Sequence, residues 1–88
     1  MARVEIYSSM WCPFCYRAKR LLKSKDAGFT EYNVDGDPAL RGEMMRRAGG
    51  RHTVPQIFID GAHVGGSDEL AALERAGRLD PMLQGQAS

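Results

Sequence analysis

Two cysteines stand between a strand-like run and a helix-like run near the beginning of the chain. Cys12 and Cys15 are the only cysteines in the 88 residues, and residues 4–7 before them read as a short strand. Pro13 suits the first position of a helix, so the segment predicts a strand, a turn and a helix whose first turn carries both thiols. Free backbone N–H groups and the helix dipole favour the thiolate there. The spacing therefore predicts a redox-active dithiol.

Two other uses of the cysteine pair compete with this interpretation. A structural disulfide that closes so small a loop would remove little entropy from the unfolded chain. A zinc site would require His52 and His63, which are the only histidines and do not form a second close pair of ligands. Redox chemistry is favoured over both, and no metal site is predicted.

The bulk composition limits the class of protein. Eighty-eight residues suffice for a single domain, which we place at residues 1–84, with a frayed tail over residues 85–88. Lys and Arg total 12 and Asp and Glu total 11, which gives no general attraction to nucleic acid. There is no apolar signal segment and no long hydrophobic run, so we expect a cytoplasmic protein with no membrane partner. In a reducing cytosol a lone C-x-x-C pair cycles between thiol and disulfide.

Periodicity and turn residues predict an alternating order of strands and helices. The segment 25–28 should end the first helix, with Gly28 as a natural C-terminal stop. Residues 29–34 should form a strand parallel to the first, because a helical crossover joins the two. Asp37 and Pro38 begin the next helix as its cap and first residue. The first half of the chain therefore reads as a βαβ unit followed by a helix.

The second half of the chain predicts a hairpin and a last helix. Two strand-like runs flank Asp60 and Gly61, which are a strong two-residue hairpin signal. Ser67 is the expected N-cap of the last helix, and residues 79–83 add a short apolar turn. The complete order, βαβ, a helix and then ββα, is that of the thioredoxin fold. We therefore predict an α/β protein with a thioredoxin-like fold, in which helices flank a four-stranded mixed sheet.

Three short motifs carry a family resemblance across nearly the whole chain. They are Cys12-Pro13-Phe14-Cys15, Thr53-Val54-Pro55 and Gly65-Gly66-Ser67-Asp68. At these separations the sequence resembles a short dithiol glutaredoxin of the bacterial type. The resemblance implies a glutathione-dependent thiol-disulfide oxidoreductase that reduces glutathione mixed disulfides and protein disulfides and serves cell redox homeostasis. It also implies glutathione as co-substrate, no tightly bound cofactor, and glutathionylated or disulfide-containing proteins as partners of a monomer.

Helix position and the resemblance assign the same roles to the cysteines. Cys12 lies at the exposed start of the helix and is the expected nucleophile, whereas Cys15 points one turn inward and is the expected resolving thiol. Phe14 stands where glutaredoxins commonly have tyrosine, from which we expect an altered rate and the same chemistry. Trp11 either covers the nucleophile or offers an apolar contact to protein substrates, although a partly buried tryptophan at a strand end is the more frequent interpretation.

The resemblance implies that the loop containing Thr53, Val54 and Pro55 binds glutathione. In glutaredoxins the Val-Pro bond is cis, and the backbone before the proline pairs with the cysteinyl segment of glutathione. Val54 matches that position. On the residues alone, a trans proline at a strand start is the ordinary interpretation, since only about one X-Pro bond in twenty is cis in folded proteins.

The glycine-rich motif near the last helix is expected to hold the γ-glutamyl end of glutathione. Gly66, Ser67 and Asp68 could serve simply as a helix cap after a turn. A helix N-terminus can also hold a carboxylate, and the carboxylate of Asp68 can accept from an ammonium group. Many glutaredoxins hold the glycine carboxylate with a lysine three residues before the first cysteine, where this chain has Ser9. The candidate cations here are Arg51 first, then Arg17 and Arg46.

Two rival functions compete with this prediction. One is a thioredoxin-like donor that a flavin reductase recharges, and the glycine-rich motif at residues 65–68 argues against it. The other is a carrier in which two chains and two glutathiones hold an iron–sulfur cluster through Cys12, as some glutaredoxin relatives do. Pro13 and the second cysteine, Cys15, argue against the carrier.

Overall fold

Four strands form one mixed sheet in the computed structural model, which describes residues 2–85. The strands are β1 (Val4–Ser8), β2 (Phe29–Asn33), β3 (Gln56–Ile59) and β4 (Ala62–Gly65). The helices are α1 (Pro13–Ser24), α2 (Pro38–Arg47), α3 (Ser67–Arg75) and α4 (Leu79–Leu83). The predicted order of elements is confirmed, and the expected apolar turn at residues 79–83 is the helix α4. Residues 86–88 of the predicted tail lie outside the described residues.

The strands lie side by side in the order β2-β1-β3-β4. β1 is parallel to β2, as the helical crossover predicts, and antiparallel to β3, while β3 and β4 are antiparallel. The central strands β1 and β3 are buried along their whole length. Along β1, Val4 and Ile6 pack with α1, α3 and α4, whereas Tyr7 packs towards α2. The sheet therefore has helices on both faces. None of the helices in residues 2–85 is long and apolar enough to span a membrane.

Residues with positive φ form two of the tight turns. Asp60 and Gly61, with φ values of 52° and 82°, close the predicted β3–β4 hairpin. α1 ends at Ser24, directly before the segment 25–28 that was predicted to end it, but the left-handed residue there is Asp26, with a φ of 54°, and not the expected Gly28. The N–H of Asp26 donates to the carbonyl of Lys23 at 3.0 Å. Asp enters this region more readily than most residues, so the helix ends before the glycine is reached.

A charged pair lies between the sheet and α2. Arg47 Nη2 donates to Glu5 Oε1 at 2.9 Å, and the guanidinium carbon lies 4.1 Å from the centroid of the Phe58 ring. The hydroxyl of Tyr32 donates to Glu5 Oε2 at 3.0 Å. The hydrogen bond from Arg47 holds the pKa of Glu5 below its ordinary value of 4.5, although burial acts in the opposite direction. Glu5 is therefore a charged part of the core that needs its partners.

We predict that Glu5→Gln lowers the free energy of unfolding by about 1–2 kcal/mol at about pH 7, because charged hydrogen bonds are lost in a buried place. The pKa of Glu5 is lower in the folded chain than in the unfolded chain. Its stabilising contribution is thus complete above the unfolded value and is lost as the pH falls through the folded value. The difference between parent and variant should shrink in acid.

Urea unfolding at about pH 7 and about pH 3 measures this difference under both conditions. Glu43→Gln is the matched control, since Glu43 is exposed on α2 and accepts a 3.3 Å bond from the Tyr7 hydroxyl. We expect the control to change stability by less than about 0.5 kcal/mol. An equal loss for Glu5→Gln at both pH values would contradict the assignment.

Candidate active site

Cys12 is the N-cap of α1, and Cys15 lies in the first turn of that helix. A disulfide joins them, with Cα atoms 5.2 Å apart. The N–H of Cys15 donates to Cys12 Sγ at 3.0 Å, so sulfur takes the acceptor place that a hydroxyl or carboxylate oxygen usually takes at a helix start. Cys15 is only 1% exposed, whereas Cys12 is partly exposed. The accessible sulfur is thus the one at the helix start, as the sequence predicts.

The loop before β3 faces that sulfur. The Val54–Pro55 bond is cis, which confirms what the resemblance implied, and the carbonyl oxygen of Val54 lies 3.8 Å from Cys12 Sγ. Gln56 Nε2 donates to the carbonyl oxygen of Thr53 at 3.0 Å, which ties the loop to the first residue of β3. The peptide edge of Val54 is therefore held beside the redox pair.

The start of α3 differs by one residue from the prediction. Gly66, not Ser67, is the N-cap, and Ser67 is the first helical residue. The capping acceptor comes from Glu69, whose Oε1 receives the N–H of Gly66 at 2.6 Å. In a capping box, a glutamate three residues after the cap accepts the backbone N–H of the cap residue in this way. The bond forms although Gly66 has no side chain. The N–H groups of Ser67 and Asp68 belong to the first turn, where α-helical acceptors are lacking.

Glu69 also explains one of the glycines. A Cβ atom on Gly65 would lie 2.5 Å from Glu69 Oε1 and 2.9 Å from its Cγ. The φ of Gly65 is 121°, which side chains rarely tolerate. A larger residue would therefore displace the side chain that caps α3.

A groove of about 370 Å³ brings the predicted glutathione contacts together. Its lining consists of Phe14, Arg51, Thr53, Val54, Pro55, Gly66, Ser67, Asp68 and Glu69. All seven predicted contacts are in this set. Arg17 and Arg46, the other candidate cations, are outside it, and the guanidinium of Arg17 lies 5.6 Å from the centroid of the Phe14 ring. Of the three cations considered, the groove therefore favours Arg51.

Comparison with known proteins identifies the family. The family model described as glutaredoxin matches residues 4–64. The chain is 56% identical over 84 residues to glutaredoxin 3 of Escherichia coli strain K12, an alignment that covers 96% of this chain and 100% of the other. The chain belongs to the glutaredoxin family. It is also 55% identical over 83 residues to a glutaredoxin of Pseudomonas aeruginosa, covering 94% of this chain and 98% of the other.

Solved glutaredoxin structures share the fold. The solution structure of a Brucella melitensis glutaredoxin has a TM-score of 0.84 at 49% identity and covers 98% of this chain and 92% of its own. The crystal structure of a buckwheat glutaredoxin–glutathione complex has a TM-score of 0.85 at 30% identity, with coverages of 93% and 76%. This glutaredoxin therefore has the predicted thioredoxin-like fold. It is a glutathione-dependent thiol-disulfide oxidoreductase, as the sequence indicated.

Arg51 has a partner that sequence reasoning missed. Its Nη1 donates to Glu69 Oε1 at 3.2 Å, the oxygen that also receives the Gly66 N–H. These two donors hold the pKa of Glu69 below its ordinary value of 4.5, with the Gly66 bond as the larger cause and burial acting against both. The spacing of Glu69 three residues after Gly66 was a visible capping signal. Its pairing with Arg51, 18 residues away, was not.

Exposed apolar side chains of this glutaredoxin lie beside Cys12 in a second depression, which shares no lining residue with the groove. Trp11 is 90% exposed, Met10 70% and Tyr16 68%. Together with Pro13 they line a shallow, mostly apolar depression that includes Cys12. The interpretation of Trp11 as a partly buried tryptophan is therefore wrong. Its indole is available to a partner.

The two histidines named in the zinc alternative both lie on the surface. His63 is exposed on β4, with Nε2 2.7 Å from Gln56 Oε1. His52 is exposed, and its carbonyl accepts from Arg41 at 3.0 Å. In the described part of the chain, no group of three or more His, Cys, Asp or Glu side chains is placed to hold a metal ion.

Proposed function

We propose that Cys12 is the attacking thiolate and Cys15 the resolving thiol. In deglutathionylation, the Cys12 thiolate attacks the glutathione sulfur of a protein–glutathione disulfide, and the protein leaves as a thiolate. A second glutathione thiolate then attacks the glutathione sulfur on Cys12, releasing oxidised glutathione and the Cys12 thiolate. The observation that carries the assignment is the contrast between the accessible Cys12 sulfur and the buried Cys15.

Protein disulfides require the second cysteine. Attack by Cys12 leaves one substrate sulfur on Cys12 and releases the other as a thiolate. Cys15 then attacks the Cys12 sulfur, which frees the substrate and forms the Cys12–Cys15 disulfide seen in the structure. Two glutathiones reduce that disulfide and become oxidised glutathione.

A stabilised Cys12 thiolate acts mainly as a leaving group. An ordinary thiol is only about 3% ionised at about pH 7, so complete ionisation raises the attacking species roughly thirtyfold. A thiolate of lower pKa is also a weaker nucleophile, with a Brønsted slope of about 0.4–0.5, and the two effects nearly cancel. The remaining rate advantage of a low pKa is that the Cys12 thiolate leaves the mixed disulfide readily.

The groove supports one orientation of glutathione. The cysteinyl segment pairs with the backbone of Val54, which lies beside Cys12. The γ-glutamyl carboxylate meets the first N–H groups of α3, and its ammonium group donates to Asp68. The glycine carboxylate binds Arg51, whose guanidinium lines the same groove.

Protein substrates dock, in this proposal, on the apolar side chains beside Cys12. Trp11, Met10 and Tyr16 form an exposed apolar patch next to the reacting sulfur, and such patches typically mark contact sites.

We place the protein in the cytoplasm, where the glutathione pool keeps returning a reactive dithiol to its reduced form. We expect it to act as a monomer.

The division of labour predicts different losses for the two cysteine variants. Cys15→Ser should retain deglutathionylation of a glutathionylated peptide and lose most reduction of a disulfide-linked peptide pair. Cys12→Ser should lose both activities, because the accessible attacking sulfur is absent. Steady-state rates on the two substrates measure the split, and equal losses in the two variants would contradict it.

The orientation of glutathione predicts a matched pair of effects at Asp68. Asp68→Asn should lower kcat/KM for a glutathionylated peptide by about two- to fivefold, the range of an exposed ion pair. The loss should disappear when the γ-glutamyl amino group of the substrate is acetylated, because no ammonium remains to pair. Asp60→Asn, the same change in the exposed β3–β4 turn, is the control. A loss that persists with the acetylated substrate would overturn this contact.

The choice of reductant separates this function from the thioredoxin-like rival. We expect turnover of a disulfide substrate with NADPH, glutathione reductase and glutathione, because the groove recognises glutathione. With NADPH and thioredoxin reductase, turnover should be at least tenfold slower, by an estimate of about 1.4 kcal/mol for lost recognition. The two coupled assays are run side by side, and a faster rate with thioredoxin reductase would favour the rival.

A further inference from the structure

Glu69 is held in one place by the backbone at the start of α3. Its Oε1 receives the Gly66 N–H at 2.6 Å, and its side chain folds across Gly65, where a Cβ atom would collide with it. This carboxylate therefore lies at the wall of the groove as part of the helix cap. It is a fixed negative charge, and the capping bond would have to break for it to move away.

Arg51, in contrast, is held through a single side-chain partner. In residues 2–85 its guanidinium hydrogen-bonds to Glu69 Oε1 at 3.2 Å, and both side chains are nearly half exposed, at 46% and 45%. Exposed pairs of this kind are weak, because water screens the charges and long side chains lose freedom. The guanidinium can therefore exchange partners while Glu69 stays on its cap.

We propose that Glu69 competes with the glycine carboxylate of glutathione for Arg51 and so sets how tightly the groove holds glutathione. This inference rests on the proposed role of Arg51 as the cation for that carboxylate. Glu69 touches neither of the reacting sulfurs in the proposed orientation, so it is a positioning residue. Its effect is opposite to that of a binding contact, because the charge on Glu69 weakens glutathione binding.

Glu69→Gln separates the two roles of the side chain. The amide oxygen of glutamine can still accept from the Gly66 N–H, so the cap is kept while the competing charge is lost. Glu74→Gln is the matched control, since Glu74 lies on the same helix and pairs with Lys25, away from the groove, at 2.8 Å.

The measurement is an exchange equilibrium in a Cys15→Ser background. The Cys12 thiolate reacts with oxidised glutathione to give the Cys12–glutathione disulfide and one glutathione thiolate, so the constant reports how well the groove holds the attached glutathione. The same constant with hydroxyethyl disulfide, which has no carboxylate, reports the chemistry of the Cys12 sulfur alone. The ratio of the constant for oxidised glutathione to the constant for hydroxyethyl disulfide therefore measures recognition of glutathione by the groove.

We expect Glu69→Gln to raise this ratio by about two- to fivefold, because that is the range of the exposed ion pair with which glutathione no longer has to compete. Glu74→Gln should leave the ratio unchanged, and Arg51→Gln should lower it. In an Arg51→Gln background, Glu69→Gln should give no further rise, because no guanidinium remains to be freed. A variant damaged in folding would not bind more tightly, so a gain cannot arise from structural loss.

Two results would overturn the competition. One is an unchanged or lowered ratio in Glu69→Gln, and the other is an equal rise with and without Arg51, which would show that the charge acts without the pairing. Failure of the proposed function looks different. In that case the ratio for the parent protein is no larger than the ratio for a short peptide with one cysteine, which means that the groove does not recognise glutathione.

Discussion

The chemistry depends on a sulfur atom that serves as a helix cap. At most helix starts an oxygen of Ser, Thr, Asp or Asn accepts one of the first N–H groups. Here Cys12 Sγ accepts the N–H of Cys15 at 3.0 Å. A negative charge on that sulfur is stabilised by the same donor and by the positive end of the helix dipole. Folding of α1 thus prepares this sulfur to carry a negative charge, and in the proposed mechanism attack, transfer and departure all take place at that one atom.

Strand register brings the other two motifs to this sulfur. Tyr7, near the end of β1, lies opposite Gln56, the first residue of β3, because the two strands are antiparallel. Ile57 lies opposite Gly65, at the end of β4. The end of β1, the start of β3 and the end of β4 therefore lie next to one another at the same end of the sheet. The helix with the cysteines, the cis-proline loop and the start of α3 all emerge there, although they are separated by up to about 50 residues along the chain.

Local signals account for what the sequence could predict. The Asp60-Gly61 turn and the capping of α2 by Asp37 each depend on neighbours a few residues away, and both are found in the structure. The errors at the ends of α1 and α3 were also small, because either Asp26 or Gly28 can stop a helix and either Gly66 or Ser67 can begin one.

The pairing of Arg51 with Glu69 was beyond such reasoning. Taken separately, each is an ordinary charged residue for which a solvated surface position is the natural expectation. Their 3.2 Å contact exists because β3 and β4 place the loop before β3 next to the start of α3. Tertiary structure, not local pattern, decides which charge faces which. The same limit applied to the choice among the three candidate arginines, of which only Arg51 lines the groove.

The charged side chains of the groove select a ligand by the arrangement of its charges and not by its net charge. Arg51 is one cation against the two anions Asp68 and Glu69, so the side chains alone do not attract an anionic peptide. Glutathione in the proposed orientation brings an ammonium group to Asp68 and a carboxylate to Arg51. The remaining carboxylate meets the end of the α3 dipole, worth about half a positive charge. A peptide without the free amino group would face Asp68 unpaired, and like charges would then oppose its binding. In the proposed orientation, discrimination therefore depends on the repulsive acid as well as on the attractive arginine.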